Sequence, residues 1–409
     1  MSQMKEKSSE EILEIGERTN SPSYAPAHFI LDRGEGVWLW DREGNKYLDF
    51  VAGIAVNCLG YAHPRIVETI KRQSERLLHV SNMFFTAEQV HLMELLTERS
   101  FADRVFLCNS GAEANEAAIK IARRYQRVVA EREDRYEIIT MRKSFHGRTY
   151  GALSATAQPK YHKGFEPMLP GFVYADYNDL ESVAAQVTDR TAAIMLEPVQ
   201  GEGGVRPGEL SFLQGVRELC DEHGLLLLFD EVQAGMARTG SLFAYQGYGV
   251  VPDVLSLAKG LGGGVPIGAT LASERVYQAW TRGSHATTFG GNPLVSAVAA
   301  TVIEVIEEEN LCEHATAMGE RLQDGLRALA KDYPVISDVR GRGLMVGAEV
   351  GAEAAGPLVQ AAREQGLLIN SAGGHTLRFV PPLIVSEAHV DEALERLGKA
   401  LAHWSEQTS

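Results

Sequence analysis

The chain has 409 residues, 45% of them hydrophobic and 23% charged, enough for one large domain and a smaller one around a sizeable core. Its formal net charge of −15, from 39 basic against 54 acidic side chains, argues against nucleic acid or an anionic membrane as the main partner, yet leaves room for small anions held by a few local arginines. Cys58, Cys108, Cys220 and Cys312 form no CxxC pair, the histidines show no HExxH pattern, and no stretch approaches the roughly 18 apolar residues of a membrane helix. With a polar N-terminus that lacks an apolar signal core, the expectation is a soluble, reduced, cytoplasmic protein with no metal site.

Residues 1–20 read as a charged, helix-prone lead-in, and Pro22 and Pro26 open an extended segment. GVWLWDREGNKYLDF (36–50) alternates apolar and polar residues around Asp41–Gly44, a hairpin with a polar turn. Helical periodicity runs from about 65 to 99, through Ile66, Ile70 and Leu77. Short apolar runs then alternate with helices: RVFLC (104–108), YEIIT (136–140), TAAIMLEP (191–198), LLLLF (225–229) and DVLSLA (253–258). Runs without alternation predict strands covered on both faces, hence a mostly parallel sheet in one large α/β domain. After Pro293, LVSAVAATVIEVIEEEN predicts a helix that begins in the core and leaves it at its acidic end. DVRGRGLMVGAEV (338–350) and HTLRFVPPLIV (375–385) predict strands of a smaller α+β domain shared with the N-terminus. The expected division is 1–70 and 311–409 for the small domain and 71–310 for the large one.

Five places carry possible chemistry. NSGAEANEAAIKIARRY (109–125) starts a helix at Ser110 and Gly111, where unpartnered N–H groups favour an anion; a plain serine N-cap is the alternative. In SFHGRT (144–149), Phe145 could stack on a planar ligand and Arg148 could grip a carboxylate, or be core and surface respectively. Asp230 ends the wholly apolar LLLLF strand, so it needs a cationic or protonated partner unless it caps a helix. Lys259, in SLAKGLGGG (256–264), follows a buried-strand pattern and precedes flexible backbone, which places an amine at the carboxyl end of a strand. A desolvated amine there is a candidate Schiff-base former, against the usual solvated lysine. HATTFGGNP (285–293) offers the hydroxyls of Thr287 and Thr288 on a turn-forming loop. Together, a stacking ring, an anion site, a partner for a protonated ring nitrogen and an aldehyde-capturing lysine describe pyridoxal phosphate.

The motifs SLAKGLGGGVPIGA around Lys259, DEVQ (230–233), EPVQGEGG (197–204) and HATTFGGNP resemble the signature set of class III, pyridoxal-phosphate-dependent aminotransferases, over nearly the whole chain from residue 22. Within that class, AGIAVNCLGYAHP (52–64), NSGAEANEAAIKIARRY and LRFVPPL (377–383) are most similar to acetylornithine aminotransferases. Tyr61, Ala234, Met236 and Ala286 depart from that subgroup's usual residues.

The resemblance implies a fold-type I transferase, a large mostly parallel α/β domain with a smaller α+β one, assembled as a homodimer with active sites at the interface. It implies that Lys259 binds the cofactor and shuttles a proton, and that Asp230 keeps the pyridine nitrogen protonated. Val232 and Phe145 would cover the two ring faces, Gln233 the ring hydroxyl, and Ser110, Gly111 and Ala112 the phosphate, with Thr288 from the partner subunit. Glu231 is counted among the cofactor contacts, although a structural contact is its other reading. Glu197 would support the cofactor side. Arg148, Glu202, Thr287 and Arg378 would meet amino-acid and 2-oxo-acid substrates, Glu202 acting as a gate on Arg378. The implied reaction moves the δ-amine of N2-acetylornithine to 2-oxoglutarate, a step of arginine biosynthesis. The alternatives are ornithine, succinylornithine, 4-aminobutyrate or a lysine-pathway acetylated amine. Ile54, where ornithine enzymes typically carry tyrosine, favours the acetylated donor.

Overall fold

A computed structural model describes residues 7–408; the first six residues of the charged lead-in lie outside them. The remainder of that segment forms the helix Ser9–Thr19, closed by a capping box between Ser8 and Glu11. β1 (Leu31–Glu35), β2 (Trp38–Asp41) and β3 (Lys46–Asp49) form an antiparallel meander, and the β2–β3 turn is tied by Asp41, which accepts from Asn45 N at 2.8 Å. The region from 65 to 99 divides into two helices, Pro64–Ser74 and Ala87–Glu98; Leu77 falls between them and is exposed.

The centre of the molecule is a seven-stranded sheet. Its strands are β4 (Arg104–Cys108), β5 (Glu137–Met141), β6 (Phe172–Ala175), β7 (Thr191–Leu196), β10 (Leu226–Asp230), β11 (Val254–Leu257) and β12 (Gly268–Ala272). The small hairpin of β8 (Val199–Gln200) and β9 (Arg206–Pro207) stands apart from it. The order is β4-β12-β11-β10-β7-β5-β6, with β12 alone antiparallel to its neighbours. β5, β7, β10 and β11 are buried at every position, as their mostly apolar, non-alternating sequences require. β6 and β12 were not anticipated from the sequence; FVYA is only half-buried, and GATLA opens on glycine and alanine, so neither stands out as an apolar run.

The helix after Pro293 follows the expectation. Pro293–Glu308 is in the core through Ile306, with Val302, Ile303 and Val305 also buried, and leaves it at Glu307 and Glu308, which are exposed. Its acidic side chains occupy one outer face, where Glu304 and Glu308 pair with Arg65 and Glu307 with Arg99.

Toward the C-terminus, β13 (Asp338–Arg342), β14 (Met345–Glu349), β16 (Asn370–Ala372) and β17 (Thr376–Phe379) form a four-stranded antiparallel sheet, order β13-β14-β17-β16. β15 (Leu367–Leu368) instead pairs in parallel with β3, joining the two ends of the chain. The closing helix Glu387–Thr408 packs against the helices Leu311–Asp332 and Ala352–Glu364. No described helix is long and apolar enough to cross a membrane, and no cluster of metal-ligating side chains occurs among the described residues.

Candidate active site

A cavity of about 500 Å³ opens at the carboxyl ends of the sheet strands. Chain segments leaving β4, β5, β7, β10 and β11 deliver Ser110, Phe145, Glu197, Asp230 and Lys259 to its wall. Parallel strands converge their carboxyl ends on one edge, so residues far apart in sequence meet there.

Lys259 opens a short 3-10 turn directly after β11, with φ +43. Leaving the strand in this left-handed conformation turns the side chain into the cavity. Burial lowers its pKa below the ordinary lysine value, and the nearby Arg378 charge adds to this, while Glu202, Asp230 and Glu197 oppose it. The result is an amine with more of its free base at neutral pH than a surface lysine has.

Asp230 is 3% exposed and fully hydrogen-bonded. Its Oδ2 accepts from His146 Nδ1 and Asn115 Nδ2, both at 2.7 Å, and its Oδ1 from Val232 N at 3.0 Å. His146 and Asn115 were missed in the sequence. His146 sits between Phe145 and Arg148, and Asn115 lies one turn into the helix whose start favours an anion. Glu197 accepts from Phe145 N at 3.1 Å and Gly201 N at 3.2 Å. Burial, with the Asp230 charge, pushes its carboxyl up to about 7, although His146 pulls the other way.

The helix Gly111–Val128 points its first turn at the cavity. Ser110 Oγ caps that turn by accepting from Glu113 N at 3.2 Å, so the hydroxyl serves the N-cap, and the N–H groups of Gly111 and Ala112 belong to the unpaired first turn. A side chain at Gly111 has no room: its Cβ would lie 2.6 Å from Val232 Cγ1.

Phe145 lies on the wall with Tyr161 edge-on at 6.1 Å, and the Arg148 guanidinium sits 3.9 Å above the Tyr161 ring. Arg148 is exposed at the mouth. Arg378, in β17, is 1% exposed and does not line the cavity. Glu202 does, and covers it, with Arg378 Nη1 donating to Glu202 Oε1 at 2.5 Å. Arg378 also donates to Gln233 Oε1 at 3.3 Å and to Asn370 Oδ1 at 3.1 Å. Burial pushes the Glu202 carboxyl up, but Arg378 and Lys259 outweigh this and hold it below its usual range.

Three expected contacts fall elsewhere. Glu231 turns away from the cavity: Oε2 accepts from Ala244 N at 2.5 Å and Oε1 from Tyr245 N at 2.7 Å, at the start of the helix Ala244–Tyr248. Consecutive residues after a strand point in opposite directions, so Asp230 and Glu231 cannot both face the cavity. Thr287 and Thr288 lie off this chain's own cavity; Thr287 Oγ1 accepts from Asn109 Nδ2 at 3.2 Å, and Thr288 is exposed beside the segment Asn82–Phe84. Ile54 also lies outside the cavity, 42% exposed, while Val56 lines it.

The donor set fits pyridoxal phosphate. The half-buried lysine matches the aldehyde, the buried carboxylate the ring nitrogen, the helix start the phosphate, and Phe145 and Val232 supply apolar surface for a flat ring. His146 Nε2 is left buried without a partner.

Comparison with known proteins gives the same picture. The family model described as Aminotransferase class-III matches residues 19–401. An acetylornithine aminotransferase of Caldanaerobacter subterraneus is 51% identical over 373 residues, covering 91% of this chain and 94% of that protein. A succinylornithine transaminase/acetylornithine aminotransferase of Pseudomonas aeruginosa is 47% identical, covering 93% of this chain and 94% of its own. The crystal structure of an ornithine aminotransferase from Toxoplasma gondii, with PLP partially occupying its active site, superposes with a TM-score of 0.95 at 35% identity, covering 99% of this chain and 97% of that one.

Proposed function

This chain belongs to the class III aminotransferase family, and from that premise we propose that it moves the δ-amine of N2-acetyl-L-ornithine to 2-oxoglutarate. The products are N-acetyl-L-glutamate 5-semialdehyde and L-glutamate, a step of arginine biosynthesis. The observation that carries this reading is the buried Arg378 covered by Glu202 on the wall of the Lys259 cavity. An enzyme that must accept first a carboxylate far from the reacting carbon, then one beside it, needs a cation that can be hidden and revealed.

Bound pyridoxal phosphate supplies the electron sink at the reacting carbon. Lys259 would hold the cofactor through its amine and, once free, would carry a proton from the substrate carbon on Nζ; its lowered pKa suits it to both tasks. Asp230, fixed by His146, Asn115 and Val232 N, would hold a proton at the ring nitrogen. Gly111 and Ala112 would offer the phosphate their N–H groups, and Gln233, on the cavity wall, would hold the ring hydroxyl. In the first half-reaction Arg148 grips the α-carboxylate of acetylornithine while Glu202 keeps Arg378 neutralised. In the second, Glu202 swings aside, Arg378 takes the α-carboxylate of 2-oxoglutarate, and Arg148 takes the distal one.

We also infer a homodimer. Met83, Phe84, Phe85 and Phe289 are 79, 63, 85 and 60% exposed, and Thr287 and Thr288 lie among them. An apolar surface of this kind fits a subunit interface, from which Thr288 would reach the partner's phosphate site. The free cysteines support a reducing, cytoplasmic setting. Succinylornithine is the favoured second donor, on the name of the Pseudomonas aeruginosa relative.

The test is a titration of the holoenzyme. Acetylornithine should discharge the near-visible absorbance of the lysine-bound cofactor, and 2-oxoglutarate should restore it. Faster discharge by 4-aminobutyrate than by acetylornithine would overturn the donor assignment, and no glutamate formed from 2-oxoglutarate would overturn the reaction class.

A further inference from the structure

The gate residue Glu202 sits in the turn between β8 and β9, and that turn is held from the opposite side by an arginine with no place in the reaction above. Arg340, in β13, donates from Nε to Gly204 O at 3.0 Å and Val205 O at 3.2 Å, and from Nη2 to Gly204 O at 2.6 Å. The same guanidinium is anchored behind by Glu349 Oε2 at 2.7 Å, Thr376 Oγ1 at 3.0 Å and Asp338 Oδ2 at 2.7 Å. His375 Nδ1 lies 2.7 Å from Glu349 Oε1 and completes the cluster.

Strand register makes this arrangement specific. Arg340 pairs with Gly347 across β13–β14, and Gly347 pairs with Arg378 across β14–β17. Residues directly opposite one another in antiparallel strands share a face. Arg340 and Arg378 therefore flank Gly347 on one face of the small sheet. Gly347 leaves space between them that Val205 fills: a Cβ on Gly347 would lie 2.9 Å from Val205 Cβ. The turn is gripped at two points, Arg378 on the Glu202 side chain and Arg340 on the backbone two residues later.

The glycines of the turn are closely packed. A Cβ on Gly201 would lie 2.3 Å from Gln233 Oε1, and one on Gly203 would lie 2.9 Å from Lys143 O. Gly204, at φ +102, would meet Thr376 Oγ1 at 3.0 Å and Arg340 Nη2 at 3.2 Å. With the backbone of the turn held by Arg340, the Glu202 side chain is the part that exchanges partners.

We propose that Arg340 is a positioning residue for the substrate gate: by clamping the Gly204 and Val205 carbonyls to the sheet that bears Arg378, it fixes the distance from which Glu202 competes with a substrate carboxylate for Arg378. The proposal rests on reading Glu202 as a gate. Loosening the clamp lowers the population of the Glu202–Arg378 pair, so a carboxylate reaches Arg378 more easily. The enzyme then discriminates less well between a donor whose carboxylate is distal and one whose carboxylate adjoins the amine.

The experiment compares the holoenzyme with Arg340→Gln and Glu349→Gln, each with and without Glu202→Ala. One readout is the Kd of glutarate, a dicarboxylate that carries no reacting group. The other is the ratio of half-reaction kcat/KM for glutamate to that for acetylornithine. Arg340→Gln should tighten glutarate and raise the ratio by about five-fold each, a middling coupling within one hydrogen-bonded network. Glu349→Gln, which keeps the guanidinium and stands in for the first variant should that one fail to fold, should move both the same way by less. Both effects should vanish in the Glu202→Ala background. Equal loss in the two half-reactions with unchanged glutarate affinity overturns the proposal, as does the same effect of Arg340→Gln when Glu202 is absent. If acetylornithine proves no donor, the glutarate cycle still decides the clamp, so the two readings fail separately.

Discussion

Replacing Glu231 by glutamine separates a structural carboxylate from a cofactor contact. Glu231 is 1% exposed, and its two oxygens accept the N–H groups of Ala244 and Tyr245. Burial pushes its carboxyl up to about 8, with the Asp230 charge adding to the rise and the two backbone donors opposing it. The unfolded chain, with the group near its ordinary value of 4.5, releases the proton first. Between those values the native state binds more protons, so this contribution to stability is full below pH ~4.5 and is lost as the pH rises through about 8. At 1.36 kcal/mol per pKa unit, the contribution is on the order of 5 kcal/mol. Glutamine does not titrate, but its NH2 faces one of the backbone donors, a mismatch that costs about 1–3 kcal/mol. Glu231→Gln should therefore be the less stable protein at pH 5 and should equal or exceed the parent at pH 9. Denaturant unfolding followed at pH 5, 7 and 9 measures both curves. The cofactor absorbance and its affinity should stay unchanged, because the side chain points away from the cavity. Parallel stability curves would refute the titration argument, and a displaced cofactor band would refute the placement.

Lys259→Ala should lower turnover by ~10²–10⁴-fold or more and abolish borohydride fixation of the cofactor, read by mass spectrometry. Gly111→Ala puts a Cβ 2.6 Å from Val232 Cγ1; overpacking of ~1–3 kcal/mol, taken in cofactor affinity, weakens binding by roughly 5- to 150-fold in an equilibrium titration of the cofactor-free protein. Asn115→Ala removes one of the two side-chain donors to Asp230, and chemical denaturation should show a loss of ~1–3 kcal/mol. Glu202→Gln removes a charge that holds the Lys259 pKa up against burial, so Lys259 in the cofactor-free protein should react faster with an acylating reagent at pH 7. An unchanged rate would show that Glu202 does not reach that amine electrostatically.

Much of this molecule was legible along the chain. Unalternating runs at 191–196 and 225–229 mark strands covered on both faces, because only such strands dispense with a polar side, whereas the run at 104–108 forms an edge strand that is exposed or half-buried over its first three residues. The glycines after Lys259 mark a strand end, and Phe145, Asp230 and the 109–125 helix start each lie where a strand or helix signal ends. Their convergence follows from the parallel sheet, whose strand ends share an edge.

What tertiary structure decided is orientation and concealment. Adjacent carboxylates Asp230 and Glu231 look equivalent in sequence, yet one faces the cavity and the other caps a helix, because only the packed helix Ala244–Tyr248 offers donors on that side. His146 and Asn115 acquire meaning only when two distant segments meet Asp230. Arg378 is one of many arginines until the sheet buries it behind Glu202, and Arg340 joins it only through a register across three strands with glycine in the middle. Local patterning dictates which segments form strands and helices, since backbone period and burial are local properties. Which side chains then face each other depends on contacts between segments more than 100 residues apart, such as Arg340 with Gly204, and no local period encodes those.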